Sequence, residues 1–276
     1  MAVTFDRHPR EVVDATWQPQ LLTTLDEKVS LLSATGIDML VVLRFDRQTA
    51  GMTAREFMDV VLHRNLGVRA LLTGYDNRFG HDRTETFDDY VGYGRELGID
   101  VVRAQPLTAV GGVTFSSSLA RKLLAEGNVE EAAKCLGHHY SITGTVAHGL
   151  QNGRTMGFPT ANTVADDARK IIPARGAYAV EAVTEDGTVH HAMTNIGTCP
   201  TFRTSGQQDV GGGGRQTMET HIFADVGDIY GQRLTLRFVA RLRDETPFAS
   251  PTELAAQLAK DKANAEKTLS KKQSEQ

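Results

Sequence analysis

The stretch Gly153-Arg154-Thr155-Met156-Gly157-Phe158-Pro159-Thr160-Ala161-Asn162 sets the reading of the whole chain. Two glycines four residues apart permit positive φ and let the backbone approach a bulky ligand closely. Pro159 fixes its own φ and drives Phe158 toward an extended conformation, so the segment reads as a loop tightening into a strand. Past the proline, Thr160 and Asn162 lie two residues apart, and in extended backbone their side chains share a face. A hydroxyl and a carboxamide oxygen are neutral, hard donors. They suit a Mg²⁺ ion that phosphates already partly neutralise.

Around this stretch the chain is written in short strands. The spacing predicts strands over 140–147, 177–184 and 188–195, the last two joined by the turn Glu185-Asp186-Gly187. Residues 232–242 alternate with period two. Leu234, Leu236, Phe238, Ala240 and Leu242 face one way, Arg233, Thr235, Arg237, Val239 and Arg241 the other. Strands joined by Gly-rich turns predict a small closed barrel. One helix ends the chain: Ser250 and Glu253 bracket Pro251 as a capping box, Leu254 and Leu258 form a narrow apolar face, and the polar run after Lys267 predicts fraying. Gly211 to Gly214 is not followed by Lys-Ser/Thr and reads as a tether rather than a phosphate cradle; no P-loop occurs anywhere.

The string G-R-x-x-G-F-P-T-A-N resembles the signature of riboflavin kinases. Gly144-Thr145-Val146-Ala147-His148-Gly149 upstream and Met218-Glu219-Thr220-His221-Ile222 downstream are similar to the same family, and the resemblance runs from about Leu136 to Ala263. It implies an ATP- and Mg²⁺-dependent kinase that converts riboflavin to FMN. Gly153, Arg154 and Gly157 would close over the nucleotide, Thr160 and Asn162 would hold both the metal and the phosphates, and Glu219 would be the base for the riboflavin 5′-hydroxyl. Periodicity agrees on one point: Met218, Thr220 and Ile222 share a face, so Glu219 points the opposite way with His221. Asn195 to Phe202 also resembles the family, with Cys199 where arginine is common.

Residues 1–135 follow another rhythm. Strands at 2–5, 37–43, 68–72 and 99–103 alternate with helices at 26–34, 53–67 and 87–97, which predicts a parallel sheet covered on both faces. Thr4 to Pro9, Gly74 to Gly80 and Phe115 to Arg121 resemble, in that order, three motifs of the adenylyltransferase half of bacterial bifunctional riboflavin kinase/FAD synthetases. His8, Asp76, Ser117 and Arg121 are the positions carried over. That module opens with a strand, a Gly-Phe-Asp-Gly turn and a His-x-Gly-His sequence that grips ATP phosphates, and none of the nine histidines here lies in such a pattern. The reading is therefore α/β plus β: an N-terminally truncated Rossmann-like nucleotidyltransferase domain over 1–135, expected to be inactive, then a riboflavin-kinase barrel with a C-terminal helix over 136–276. The alternatives are a bifunctional enzyme that also adenylylates FMN to FAD, and a flavin- or nucleotide-binding protein without turnover.

Composition narrows the rest. With 30 basic against 34 acidic residues and a net charge of −4, the chain is not expected to bind nucleic acid or an anionic membrane. No apolar run approaches the ~20 residues that span a bilayer. Two distant cysteines, Cys135 and Cys199, fit a reducing, cytoplasmic setting and offer no metal-site spacing.

Overall fold

The structure, a computed structural model, describes residues 1–74, 78–81, 84–106, 114–148, 157–198 and 216–273. Contacts divide the chain into two compact units, one of 1–19 with 23–115, the other of 20–22 with 116–276.

In the first unit, β1 (Ala2–Phe5) pairs in parallel with β2 (Leu40–Leu43), and β3 (Ala70–Thr73) pairs in parallel with β4 (Asp100–Arg103). The helices are α1 (Pro9–Val13), α2 (Leu25–Ser33), α3 (Arg47–Ala50), α4 (Ala54–Glu56) and α5 (Phe87–Leu97). α4 runs directly into a wide-turn π-helix over Phe57–Asn65. Thr53 caps α4 as its sequence predicts, its hydroxyl accepting from the Glu56 N–H at 3.2 Å while the Glu56 carboxylate accepts from the Thr53 N–H at 2.8 Å. Ala54, Met58, Leu62, Val68, Tyr90 and Ile99 make a small core behind β3 and β4. Among the described residues the two strand pairs do not join, so one continuous parallel sheet is not formed. Leu72 is left 69% exposed and Val102 54%.

The second unit is the expected barrel. Strands β5 (Ser141–Ala147), β6 (Ala161–Ala165), β7 (Gly176–Val183), β8 (Val189–Thr198), β9 (Gln216–Ile222) and β10 (Arg233–Arg243) close in the order β10-β5-β6-β9-β8-β7, every pair antiparallel. Alternate residues fill its interior: Ile142 and Val146 from β5, Met218 and Ile222 from β9, Val180 and Ala182 from β7, Leu234, Leu236 and Phe238 from β10. Gly144 is needed for room, because a Cβ there would stand 2.2 Å from the Val164 carbonyl oxygen on the neighbouring strand. Helices α6 (Ser117–Ala125) and α7 (Val129–Leu136) pack onto this core through Leu124, Val129 and Ala132, all fully buried. For that reason the second unit begins at Ser116, ahead of the change of rhythm at Leu136.

Two expectations are corrected. The alternation of β10 breaks after Phe238, where a register shift puts Val239 and Ala240 together in an outer cluster instead of on opposite faces. The terminal helix α8 (Pro251–Gln273) does not fray after Lys267. Ala265 and Leu269, both buried, extend its apolar stripe against Ala179, Met193 and Val239 on the outside of the barrel. An Arg243–Asp261 ion pair at 2.8 Å ties it down as well.

Candidate active site

The outer face of β6, β9 and β8 gathers a row of polar side chains that form the candidate site. Asn162 on β6 stands directly opposite Glu219 on β9, and Glu219 stands directly opposite Asn195 on β8. In an antiparallel ladder such partners project to the same side with Cβ atoms about 4.5 to 5.5 Å apart. Glu219 is thus flanked by a carboxamide on each side. Its neighbours Met218 and Thr220 point into the barrel, where the Thr220 and Thr194 hydroxyls meet at 2.6 Å. Among the described residues none of Thr160, Asn162, Glu219 and Asn195 makes a side-chain hydrogen bond or ion pair, although Asn162 is only 9% exposed. An unpartnered, nearly buried carboxamide is costly unless a ligand satisfies it.

Glu219 itself lies at the surface of this face, yet enough protein surrounds it that desolvation holds its carboxyl above the ordinary value. Among the described residues no cation opposes that shift. Such a carboxylate is a stronger base than a fully hydrated one.

Next to Thr160 opens a recess of about 820 Å³, walled by Val146, Pro159, Thr160, His221 and Phe223, by the loop from Ala224 to Tyr230, and by Lys262. Gly157 takes φ of 80° with open space around it, so here glycine serves backbone conformation. His221 pins the next step of the chain: its Nδ1 donates to the Pro159 carbonyl at 2.9 Å, between the rings of Phe158 and Phe223. Burial holds the imidazole below its usual pKa, so it stays neutral. The recess and the Glu219 row therefore meet at the short segment from Thr160 to Asn162.

Of the residues singled out in the sequence, Gly157, Thr160, Asn162 and Glu219 are brought together. Gly153, Arg154, Asp76, Cys199 and Gly211 to Gly214 lie outside the described residues. His8 caps α1, its Nδ1 accepting from the Arg10 N–H at 3.1 Å with the ring 4.5 Å from that of Trp17. Ser117 and Arg121 belong to the barrel unit, whereas His8 belongs to the other. Arg121 Nε donates to the Gln20 carbonyl at 2.9 Å. Asn195 lay within a family-like stretch but drew no role, because its partnership with Glu219 depends on strand register.

A closed six-stranded barrel with a terminal helix, preceded by an α/β segment, is the architecture of a flavokinase joined to a nucleotidyltransferase. Family profiles agree: that of riboflavin kinase matches residues 136–269 and that of FAD synthetase matches residues 1–119. The bifunctional riboflavin kinase/FMN adenylyltransferase of Escherichia coli K12 is 37% identical over 96% of this chain and 81% of its own length. That of Bacillus subtilis is 31% identical over 95% and 80%. A crystal structure described as a macrolide-efflux protein from Streptococcus pneumoniae superposes with a TM-score of 0.82 at 30% identity, covering 96% of this chain and 83% of that one. The chain belongs to the bifunctional riboflavin kinase/FMN adenylyltransferase family. Among the described residues no helix is long and apolar enough to cross a membrane.

Proposed function

We propose that the barrel unit is an ATP:riboflavin 5′-phosphotransferase that makes FMN and ADP in the cytoplasm. The observation that carries this reading is the row Asn162, Glu219, Asn195, without side-chain partners among the described residues and adjoining the recess beside Thr160. Thr160 and Asn162 fit Mg²⁺ because each presents a neutral oxygen that no group among the described residues occupies. The ion, when bound, neutralises charge on the transferring phosphoryl group. By the family resemblance, Gly153, Arg154 and Gly157 would serve the nucleotide. Glu219 takes the proton of the riboflavin 5′-hydroxyl on a carboxylate oxygen as that hydroxyl attacks. Asn162 and Asn195 limit where the carboxylate swings. A positioned base supplies only about 10² to 10⁴ in rate, so alignment within the site supplies the rest.

Purified protein given riboflavin, ATP and Mg²⁺ should produce FMN, resolved from riboflavin by chromatography. Folded protein that forms none would remove the kinase reading and favour a binding protein without turnover. A second activity, FMN to FAD, is favoured by the match of residues 1–119 to FAD synthetase. With FMN and ATP, FAD formed by folded protein would support that second activity, and none formed would count against it.

A further inference from the structure

Lys262 projects from α8 into the wall of the recess that also holds Thr160. It is half-buried, and among the described residues it makes no ion pair or hydrogen bond. Its Nζ lies 5.2 Å from the centroid of the Phe223 ring, and its charge acts on His221, helping to hold that imidazole neutral. The adjacent charges are spoken for. Asp261, one residue earlier, is held by Arg243 and by the Gln257 amide at 2.8 Å. Asp225 and Asp228, the carboxylates of the recess wall, accept from the Gly227 and Tyr230 N–H groups at 3.1 and 3.0 Å and so shape their own loop. His221 on the same wall is neutral. Among the described residues Lys262 is thus the one cation lining the recess, and it has no counter-ion.

A partly desolvated ammonium without a partner weakens the fold unless something else compensates it. Phe223 offers a cation–π contact, which holds the ammonium in place but does not neutralise it. Its position is also prearranged. The Arg243–Asp261 pair fixes the residue before it, and buried Ala265 fixes the next turn of the helix. A compact point charge on a flexible stem suits phosphate oxygens whose spacing changes between substrate and product. We propose that Lys262 binds the polyphosphate of the nucleotide that occupies the recess beside Thr160. The identity of that nucleotide as ATP rests on the kinase reading above; the role of the lysine does not.

The test uses the full chain and the Mg²⁺ complex of a non-hydrolysable ATP analogue, titrated by calorimetry. Lys262→Met keeps the stem over Phe223 and removes the charge; affinity should fall roughly tenfold, the scale of one charge-assisted contact at a partly exposed site. The salt dependence of binding should flatten with it. Lys262→Arg should restore most of the affinity, and riboflavin binding, followed by quenching of flavin fluorescence, should stay the same in both variants. Unchanged nucleotide affinity in Lys262→Met overturns the proposal. So does an equal loss in Lys262→Met and Lys262→Arg, or an equal loss of riboflavin affinity, because either marks a structural effect of the helix. Wild-type protein that binds the analogue but makes no FMN would end the kinase reading and leave the lysine to be judged by the same titration.

Discussion

Glu219 combines two properties that pull in opposite directions. Desolvation raises its pKa, and a carboxyl raised in this way contributes stability only while protonated. That contribution is complete below its unfolded pKa and is lost as pH rises through the folded value. At neutral pH the ionised group therefore weakens the fold, and it is in this form that the proposed base would act. Glu219→Gln should lower kcat by about 10²-fold or more with the riboflavin KM little changed, and should also raise the melting temperature at pH 7. In the wild type, the acid limb of kcat/KM should fall at a pH above that of a fully hydrated glutamate, as Glu219 takes up a proton. A variant with full turnover would place the base elsewhere. Asn162→Ala should act differently, raising the Mg²⁺ and ATP concentrations needed for half-maximal rate. Equal metal dependence in wild type and variant would exclude Asn162 as a ligand. The outward direction of Glu219 was legible from period-two alternation. The roles of Asn195 and Lys262 were not, since each is defined by strand or helix neighbours distant in the chain.

Between elements, one nearly buried ion pair adds to the apolar contacts that fasten α8 to the barrel. The Asp261 side chain is 3% exposed and that of Arg243 is 19%. Removing one partner strands the other, so Asp261→Ala should cost about 3 to 5 kcal/mol in urea denaturation. That is a large share of a domain's usual ~5 to 15 kcal/mol. A loss below about 1 kcal/mol would mean that the pair is hydrated and contributes little. The β7–β8 hairpin has a different fastening. Asp186 accepts from the Thr184 hydroxyl at 2.6 Å and from the Thr188 N–H at 3.0 Å, which lowers its pKa to about 2. Its depressed value gives stability above the unfolded pKa, lost as pH falls through about 2. Amide protection at the turn should therefore drop on acidification in the wild type and be lower at neutral pH, with little further drop, in Asp186→Asn. Ser250 and Glu253 were legible as the start of α8, and the Glu253 N–H does bond to Ser250 Oγ at 3.2 Å. The far end was not, because Ala265 and Leu269 are apolar anchors only when the barrel wall lies under them.

For the whole molecule, stability should be unequal between the units. The barrel closes on itself and leaves no strand edge, whereas the first unit has two separate pairs of four-residue strands. Two-stranded pairing is marginal in water without further cover. Hydrogen exchange on the full chain should therefore be faster in β1 to β4 than in β5 to β10. Equally slow exchange in both units would show that the first unit is as firmly closed as the barrel.

What the sequence determined alone is what local rules govern. Period-two runs and turn residues set the barrel strands, cap signatures set where helices begin, and a decad with its two companion motifs pointed to the family and offered Thr160, Asn162 and Glu219 as candidates. What only the tertiary structure decided is what depends on register and on surfaces meeting. Closure of the barrel put Asn195 beside Glu219, and packing of Leu124, Val129 and Ala132 gave α6 and α7 to the barrel unit. Docking of α8 carried Lys262 to the recess. The physical reason is common to all three: a side chain's direction follows from its own few residues, but its neighbours follow from chain closure, which no local pattern encodes.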